Sequence, residues 1–221
     1  MPTPAPSFPQ SKPVDESRPV KVKARSLRYD QAKQETVFYG GVTVTQDSTV
    51  LTARELRSSD QGQNAHAEGG VRVVDATRRF QAEAGSAVYG DAMRSAELSG
   101  GVRLLSVDPY GVPVTVTGQS GRYLDLSRSA SVEGGVQVQR GALTATAGSA
   151  ELERGGDLLR LLDKVLVRLG TNRGQADTAA FDQADRSMVM LGHVRARFIP
   201  RDVRKAGEAP WSVSPTSQEV K

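Results

Sequence analysis

The side chains able to do chemistry are few and scattered. Two histidines, His66 and His193, lie 127 residues apart, and there is no cysteine. A metal centre or an activated nucleophile needs such groups at converging spacings, and none stands here. Stacked repeats bring carboxylates such as Glu68, Glu97 and Glu133 together, as polysaccharide-cleaving β-solenoids do, but nothing else in the sequence marks such a pair. No glycine loop ending in lysine offers a phosphate cradle. Asp30, Asp60, Asp91, Asp125 and Asp182 recur at one place in a repeat. As calcium ligands they would alternate with glycine at short spacing. They do not, and polar turns are expected instead. The chain is read as a non-enzyme with no catalytic residue, metal or cofactor. Its remaining chemical resources are 22 arginines, suited to phosphate or carboxylate, and a regular set of apolar residues.

Those apolar residues belong to six copies of one repeat. The landmark is Gly-Gly-Val at Gly40-Gly41-Val42, Gly69-Gly70-Val71, Gly100-Gly101-Val102 and Gly134-Gly135-Val136. It degenerates to Asp163-Lys164-Val165 and Gly192-His193-Val194. The valines are 29, 31, 34, 29 and 29 residues apart. A small residue stands 18 positions before each valine: Ala24, Ala53, Ala84, Gly118, Ala147 and Ala176. That offset never changes, so all length variation falls between a valine and the next small residue. A fixed module with one variable slot describes a stacked repeat.

Parity identifies the elements as strands. Four residues before each valine stand Phe38, Ala67, Leu98, Val132, Leu161 and Met190; two after stand Val44, Val73, Leu104, Val138, Val167 and Ala196. The positions between are mostly polar. A period of two, repeated six times, is that of half-buried strands. The six valines are expected in one inward column. Glycine within such a strand marks a bend, and a bend recurring in every repeat lines up into a corner. Near Arg25-Ser26 the parity slips by one, as at a β-bulge. Pro109 and Pro113 fall in the third, longest interval. Residues 75–79 and 106–113 are therefore expected to be loops on one side of the stack, and deletion of Val107–Gly111 to spare the fold.

The fold class expected is all-β: an elongated jellyroll or solenoid-like stack of six repeats of about 29 residues, with a V-shaped pair of sheets. Residues 20–199 form the repeat domain; the proline-rich segment 1–19 is a flexible lead and 200–221, with Trp211, a flexible tail. No apolar run reaches the length of a membrane span. No export-signal core stands in residues 1–19, so either the protein is cytosolic or a signal precedes this numbering. The missing cysteines suit cytosol or periplasm.

The strands Val37-Phe38-Tyr39-Gly40-Gly41-Val42-Thr43-Val44-Thr45-Gln46 and Val132-Glu133-Gly134-Gly135-Val136-Gln137-Val138-Gln139, with Leu51-Thr52-Ala53 and Leu143-Thr144-Ala145, resemble the LptA/OstA-like family. Its strand motif runs aromatic or aliphatic, x, Gly, Asn, Val, x, Val. Here the Asn is Gly in four copies, Lys164 and His193 in the others. The resemblance spans residues 22–198. It implies a periplasmic, non-catalytic carrier or bridge for lipopolysaccharide or a similar glycolipid, passing it along head-to-tail β-folds to the outer membrane. The implied partners are LptC-like and outer-membrane LptD-like proteins, with a possible head-to-tail homo-oligomer and no nucleic acid.

An apolar trough for acyl chains is expected from Phe38, Val42, Val44, Val71, Val73, Leu98, Val102, Val132, Val136, Leu161, Val165 and Met190. The terminal strands leave backbone groups unpaired, so Val22, Ala24, Val194 and Ala196 mark the assembly edges. The same residues also permit a dry closed core. The other functional reading is a self-polymerising structural β-solenoid, like a bactofilin scaffold.

Overall fold

A computed structural model describes residues 20–59, 64–90, 95–124, 129–153 and 157–199, together with the backbone of Ser212–Val213. The lead 1–19, Asp60, Asp91, Asp125 and Trp211 lie outside the described residues. All regular structure described is strand. In chain order the strands are β1 (Lys21–Lys23), β2 (Ser26–Asp30), β3 (Glu35–Gln46), β4 (Thr49–Ser59), β5 (Asn64–Asp75), β6 (Phe80–Gly90), β7 (Ser95–Ser99) and β8 (Val102–Val107). They continue as β9 (Pro113–Gly118), β10 (Ser120–Leu124), β11 (Ser129–Arg140), β12 (Leu143–Glu153), β13 (Leu158–Leu169), β14 (Asn172–Asp182), β15 (Ser187–Leu191), β16 (Arg195–Arg197) and β17 (Ser212–Val213).

The pairs β1/β2, β7/β8, β9/β10 and β15/β16 are each one row of the stack interrupted at its middle. Read that way, twelve rows run up and down as an antiparallel meander, each bonded to the next. Each repeat therefore contributes two rows.

Every row bends at the same height, and the Gly-Gly pair explains how. Gly40 and Gly41 have φ of 82° and 87°, Gly69 and Gly70 of 82° and 85°, Gly100 and Gly101 of 79° and 84°. Two consecutive left-handed residues suit glycine and disfavour a side chain. The pair opposes a single residue of the next row. Tyr39 pairs with Glu55 and Val42 with Ala53, so Gly40-Gly41 faces Arg54 alone. That two-against-one count is a bulge, which bends the ladder. The degenerate copies keep the geometry: Asp163 and Lys164 have φ of 66° and 56°, Gly192 and His193 of 75° and 43°.

The bends divide the rows into a first-half and a second-half sheet with one apolar cluster between them. Its layers alternate in size along the stack. On the second-half sheet Val42 pairs with Ala53, Val71 with Ala84, Val102 with Gly118, Val136 with Ala147 and Val165 with Ala176. The small residue 18 positions before one valine is thus the cross-strand partner of another. On the first-half sheet the layer runs through Leu98, Gly121, Val132, Ala150, Leu161, Ala179 and Met190. The glycines are forced by close approach: a Cβ on Gly118 would stand 2.5 Å from Val132 Cγ1, and one on Gly121 2.9 Å from the Ser131 carbonyl oxygen. Alternating large and small residues close such a layer without voids.

Turns obey the same economy. Asp30, Asp75 and Asp182 each accept two backbone N–H bonds from the following two or three residues through Oδ1, at 3.0–3.2 Å. The turns 76–79 and 108–112 both lie at the outer end of the second-half sheet, as the shared slot predicts.

Candidate lipid-binding core and assembly edges

Ten of the twelve residues expected to line the trough are fully inward and buried: Val42, Val44, Val71, Leu98, Val102, Val132, Val136, Leu161, Val165 and Met190. Phe38 and Val73 are partly buried against the same cluster. The two sheets pack on each other along this seam. The residues form one continuous apolar layer from the third strand to the fifteenth.

The outer rims of the sheets, far from the bend, also touch. Arg78, in the turn before β6, donates to the Tyr123 hydroxyl at 2.8 Å. Phe80 stacks on the Tyr123 ring with centroids 5.8 Å apart. Further along, Tyr110 donates its hydroxyl to the Ala184 carbonyl at 2.7 Å, and the Arg186 guanidinium lies 3.6 Å from the Tyr110 ring centroid. In both places a second-half turn reaches a first-half rim. Each contact is polar or aromatic and largely exposed, so each is individually weak. Sequence reading missed Arg78, Phe80, Tyr110 and Arg186 because they lie in or beside turns, outside the strand parity.

The loop carrying Tyr110 is anchored from inside. Asp108 is buried and accepts from the Tyr110 and Val112 amides at 2.9 and 2.7 Å. Its other oxygen receives both Nε (2.9 Å) and Nη2 of the buried Arg140.

One buried polar atom stands inside the seam. The Tyr89 hydroxyl, at the first-half end of β6, has no hydrogen-bond partner among the described residues. Burial pushes its phenol well above the usual range. The charged side chains weighed above stay apart. Glu68, Glu97 and Glu133 lie on β5, β7 and β11, none of which pair with one another. His66 lies 3.4 Å from Glu68, and His193 Nδ1 2.8 Å from Asp177 Oδ2, both at the surface. Among the described residues no group of three or more histidines or carboxylates is placed to hold a metal.

The end rows differ from the rest. In the first row Val22, Leu27 and Tyr29 oppose Val44, Phe38 and Thr36, yet are 37%, 58% and 54% exposed, with no preceding row among the described residues. Ala24 is exposed beside them. In the last row Val194 is 49% exposed, while the other five valines of its column are buried. It sits at the break between β15 and β16, and no later row among the described residues covers that half. Ala196 pairs with Gly174 and is likewise exposed. The tail is not wholly separate: Ser212–Val213 pairs in parallel with Ser187–Met188, covering the first-half part of the last edge. The β16 half has no such neighbour among the described residues.

The described residues form a bent β-meander of repeats with a continuous apolar seam. Residues 21–108 match the family model described as LptA/(LptD N-terminal domain) LPS transport protein. The match covers the first half of the repeat rows, β1 to β8, and makes that part of the chain similar to this family. No curated protein matches. Among solved structures it is similar to LptH of Pseudomonas aeruginosa, the LptA-homologous periplasmic component of a lipopolysaccharide transport device. The two are 16% identical, with 64% of this chain and 80% of that chain covered and a TM-score of 0.32.

Proposed function

We propose that this chain is a periplasmic, non-catalytic carrier or bridge for lipopolysaccharide or a similar glycolipid. Acyl chains insert along the seam between the two sheets, and successive folds join head to tail. The observation that carries the reading is the state of the end rows: among the described residues the first row and the β16 half of the last row have no outer neighbour, and inward-facing apolar side chains there are exposed. A second β-fold would cover them by continuing both the sheet and the core. The partners of this reading are LptC-like and LptD-like folds, or another copy of the chain. The seam is closed in this structure, so lipid entry requires the sheets to part about the bend. The rim contacts at Tyr110 and Tyr123 are the ones that must yield. Burial of about 0.8 kcal/mol per CH₂ offsets that opening.

The test is photo-crosslinking in cells. A crosslinker at Val132, inside the seam, captures glycolipid, while one at outward Arg103 does not. Equal capture at both sites removes the support for a seam. A protein that polymerises end to end and captures nothing at Val132 is instead a structural scaffold.

A further inference from the structure

The outward face of the second-half sheet changes character along the stack. In its early rows arginine meets carboxylate. Arg72, Glu83 and Arg103 stand side by side on β5, β6 and β8. Glu83 oxygens lie 3.8 Å from Arg72 Nε and 3.9 Å from Arg103 Nη1. In the late rows the carboxylate disappears and the arginines remain. Arg168 pairs directly with Arg173, and Arg173 with Arg197. Directly opposed residues share a face, so three arginines form a ladder across β13, β14 and β16. Arg195 lies two residues from Arg197 on the same face.

All four side chains are exposed. Among the described residues none makes an ion pair. The cause is in the sequence: residues 136–147, 164–176 and 194–199 contain no Asp or Glu. Like charges directly opposite each other destabilise a sheet. The early rows show that this fold places a carboxylate between its arginines when the ladder has only to hold itself together. Leu166, 52% exposed, lies on the same face beside Gln175 and Arg195.

We propose that this arginine ladder is a docking face for an anionic lipid surface. Adjacent strands hold the guanidinium groups at roughly the 4.8 Å strand spacing, and each offers paired N–H donors to phosphate. The face is a flat sheet, which presents its donors to a layer of headgroups and encloses no single phosphate. An exposed leucine among arginines suits the boundary between headgroups and acyl chains. The charge complementarity therefore selects phospholipid headgroups as the occupant. The inference stands apart from the seam, because it concerns the outer face of one sheet and needs no acyl chain inside the fold.

The full chain is sedimented with vesicles of phosphatidylcholine alone or with about 30% phosphatidylglycerol, an anionic fraction large enough for surface attraction. Wild type binds the anionic vesicles, and binding falls with added salt. The Arg168→Gln/Arg173→Gln/Arg197→Gln variant binds on the order of 100-fold more weakly, since each basic residue near such a surface contributes about fivefold. Arg72→Gln/Arg103→Gln stays within about twofold of wild type on the same grounds. Should the triple variant fail to fold by circular dichroism, Arg173→Gln alone is measured for an about fivefold loss. Equal binding to both vesicle types, or no loss in the folded variants, overturns the proposal. So does full release by millimolar inorganic phosphate at constant ionic strength, which marks a single-phosphate site. Binding of the ladder to an acidic protein while anionic vesicles are ignored overturns it as well.

Discussion

Gly148 and Asp163 face each other across the bend with side chain and glycine exchanged. A Cβ on Gly148 would stand 2.7 Å from Asp163 Cβ. In the other rows the glycine is on the opposite strand: a Cβ on Gly40 would stand 2.8 Å from Arg25 Cβ, one on Gly69 2.6 Å from Arg54 Cβ, and one on Gly134 2.8 Å from Gln119 Cβ. Each facing pair is 15 residues apart. Gly85 and Gly100 supply glycine on both sides. The corner thus has room for one side chain per row and is indifferent to which strand provides it.

That rule predicts unequal costs for neighbouring glycines. Gly70→Ala meets nothing within 4 Å and costs only the left-handed backbone, about 1–2 kcal/mol. Gly69→Ala adds a clash with Arg54 and loses a further 1–3 kcal/mol or so from overpacking. Adding Arg54→Gly to Gly69→Ala recovers the second part, reproducing the exchange at Gly148. Urea unfolding measures all three. Equal losses for the two alanine variants would refute the steric account. Conversely Lys164→Gly, at a φ of 56°, gains about 0.5–1 kcal/mol after the entropy of glycine is subtracted.

Much of this corner is legible in the sequence, because glycine pairs at a fixed distance from a valine leave few physical readings. The strands, the inward column and the shared side of the long turns follow from parity alone. Three things do not. Val194 has the parity of a core residue, but burial depends on a following row, and none of the described residues forms one at that height. Asp108 falls within the expected loop 106–113 with nothing to mark it, and its role appears only when Arg140, 32 residues on, meets it from the buried side. The rim contacts join turns from distant repeats, Tyr110 with Ala184 and Arg78 with Tyr123, and no local pattern encodes the offset between the two sheets.

The Asp108–Arg140 pair changes the expectation for the long loop. The loop reads as dispensable, yet deletion of Val107–Gly111 would remove a buried carboxylate and leave a buried guanidinium without it. Asp108→Ala should cost about 3–5 kcal/mol for the same reason. Asp108→Ala/Arg140→Leu should recover a large part of that. A deletion variant with wild-type stability would show that water reaches Arg140 easily.

Tyr89 gives a test of the seam in the absence of lipid. Its hydroxyl is buried without a partner, so Tyr89→Phe should raise stability by about 1–3 kcal/mol. The raised pKa has a further consequence. The unfolded phenol ionises near pH 10 while the buried one stays protonated, so wild-type stability falls as pH rises above that value. Tyr89→Phe should lack that part of the fall. If glycolipid occupies the seam with an oxygen near Tyr89, the same variant binds it more weakly despite being more stable.

Lipid entry is the last prediction, and it rests on the rims. The apolar seam lies behind Tyr110–Ala184, Arg186–Tyr110 and Arg78–Tyr123, and the bend on the far side is closed by backbone pairing. Chains must therefore pass between the rims or enter at the uncovered ends. Tyr110→Ala with Arg78→Ala removes the rim contacts but leaves Asp108, Arg140 and the inward layers in place. Such exposed contacts contribute little to stability, on the order of 1 kcal/mol each, so the melting temperature should drop only by a few degrees. The rate of glycolipid capture by a crosslinker at Val132 should rise severalfold, because the closed state is less favoured. Capture at Val42, next to the open first row, should change less. If the double variant leaves the Val132 rate unchanged while blocking the first row abolishes capture at both positions, lipid enters from the ends and the rims play no part in admission.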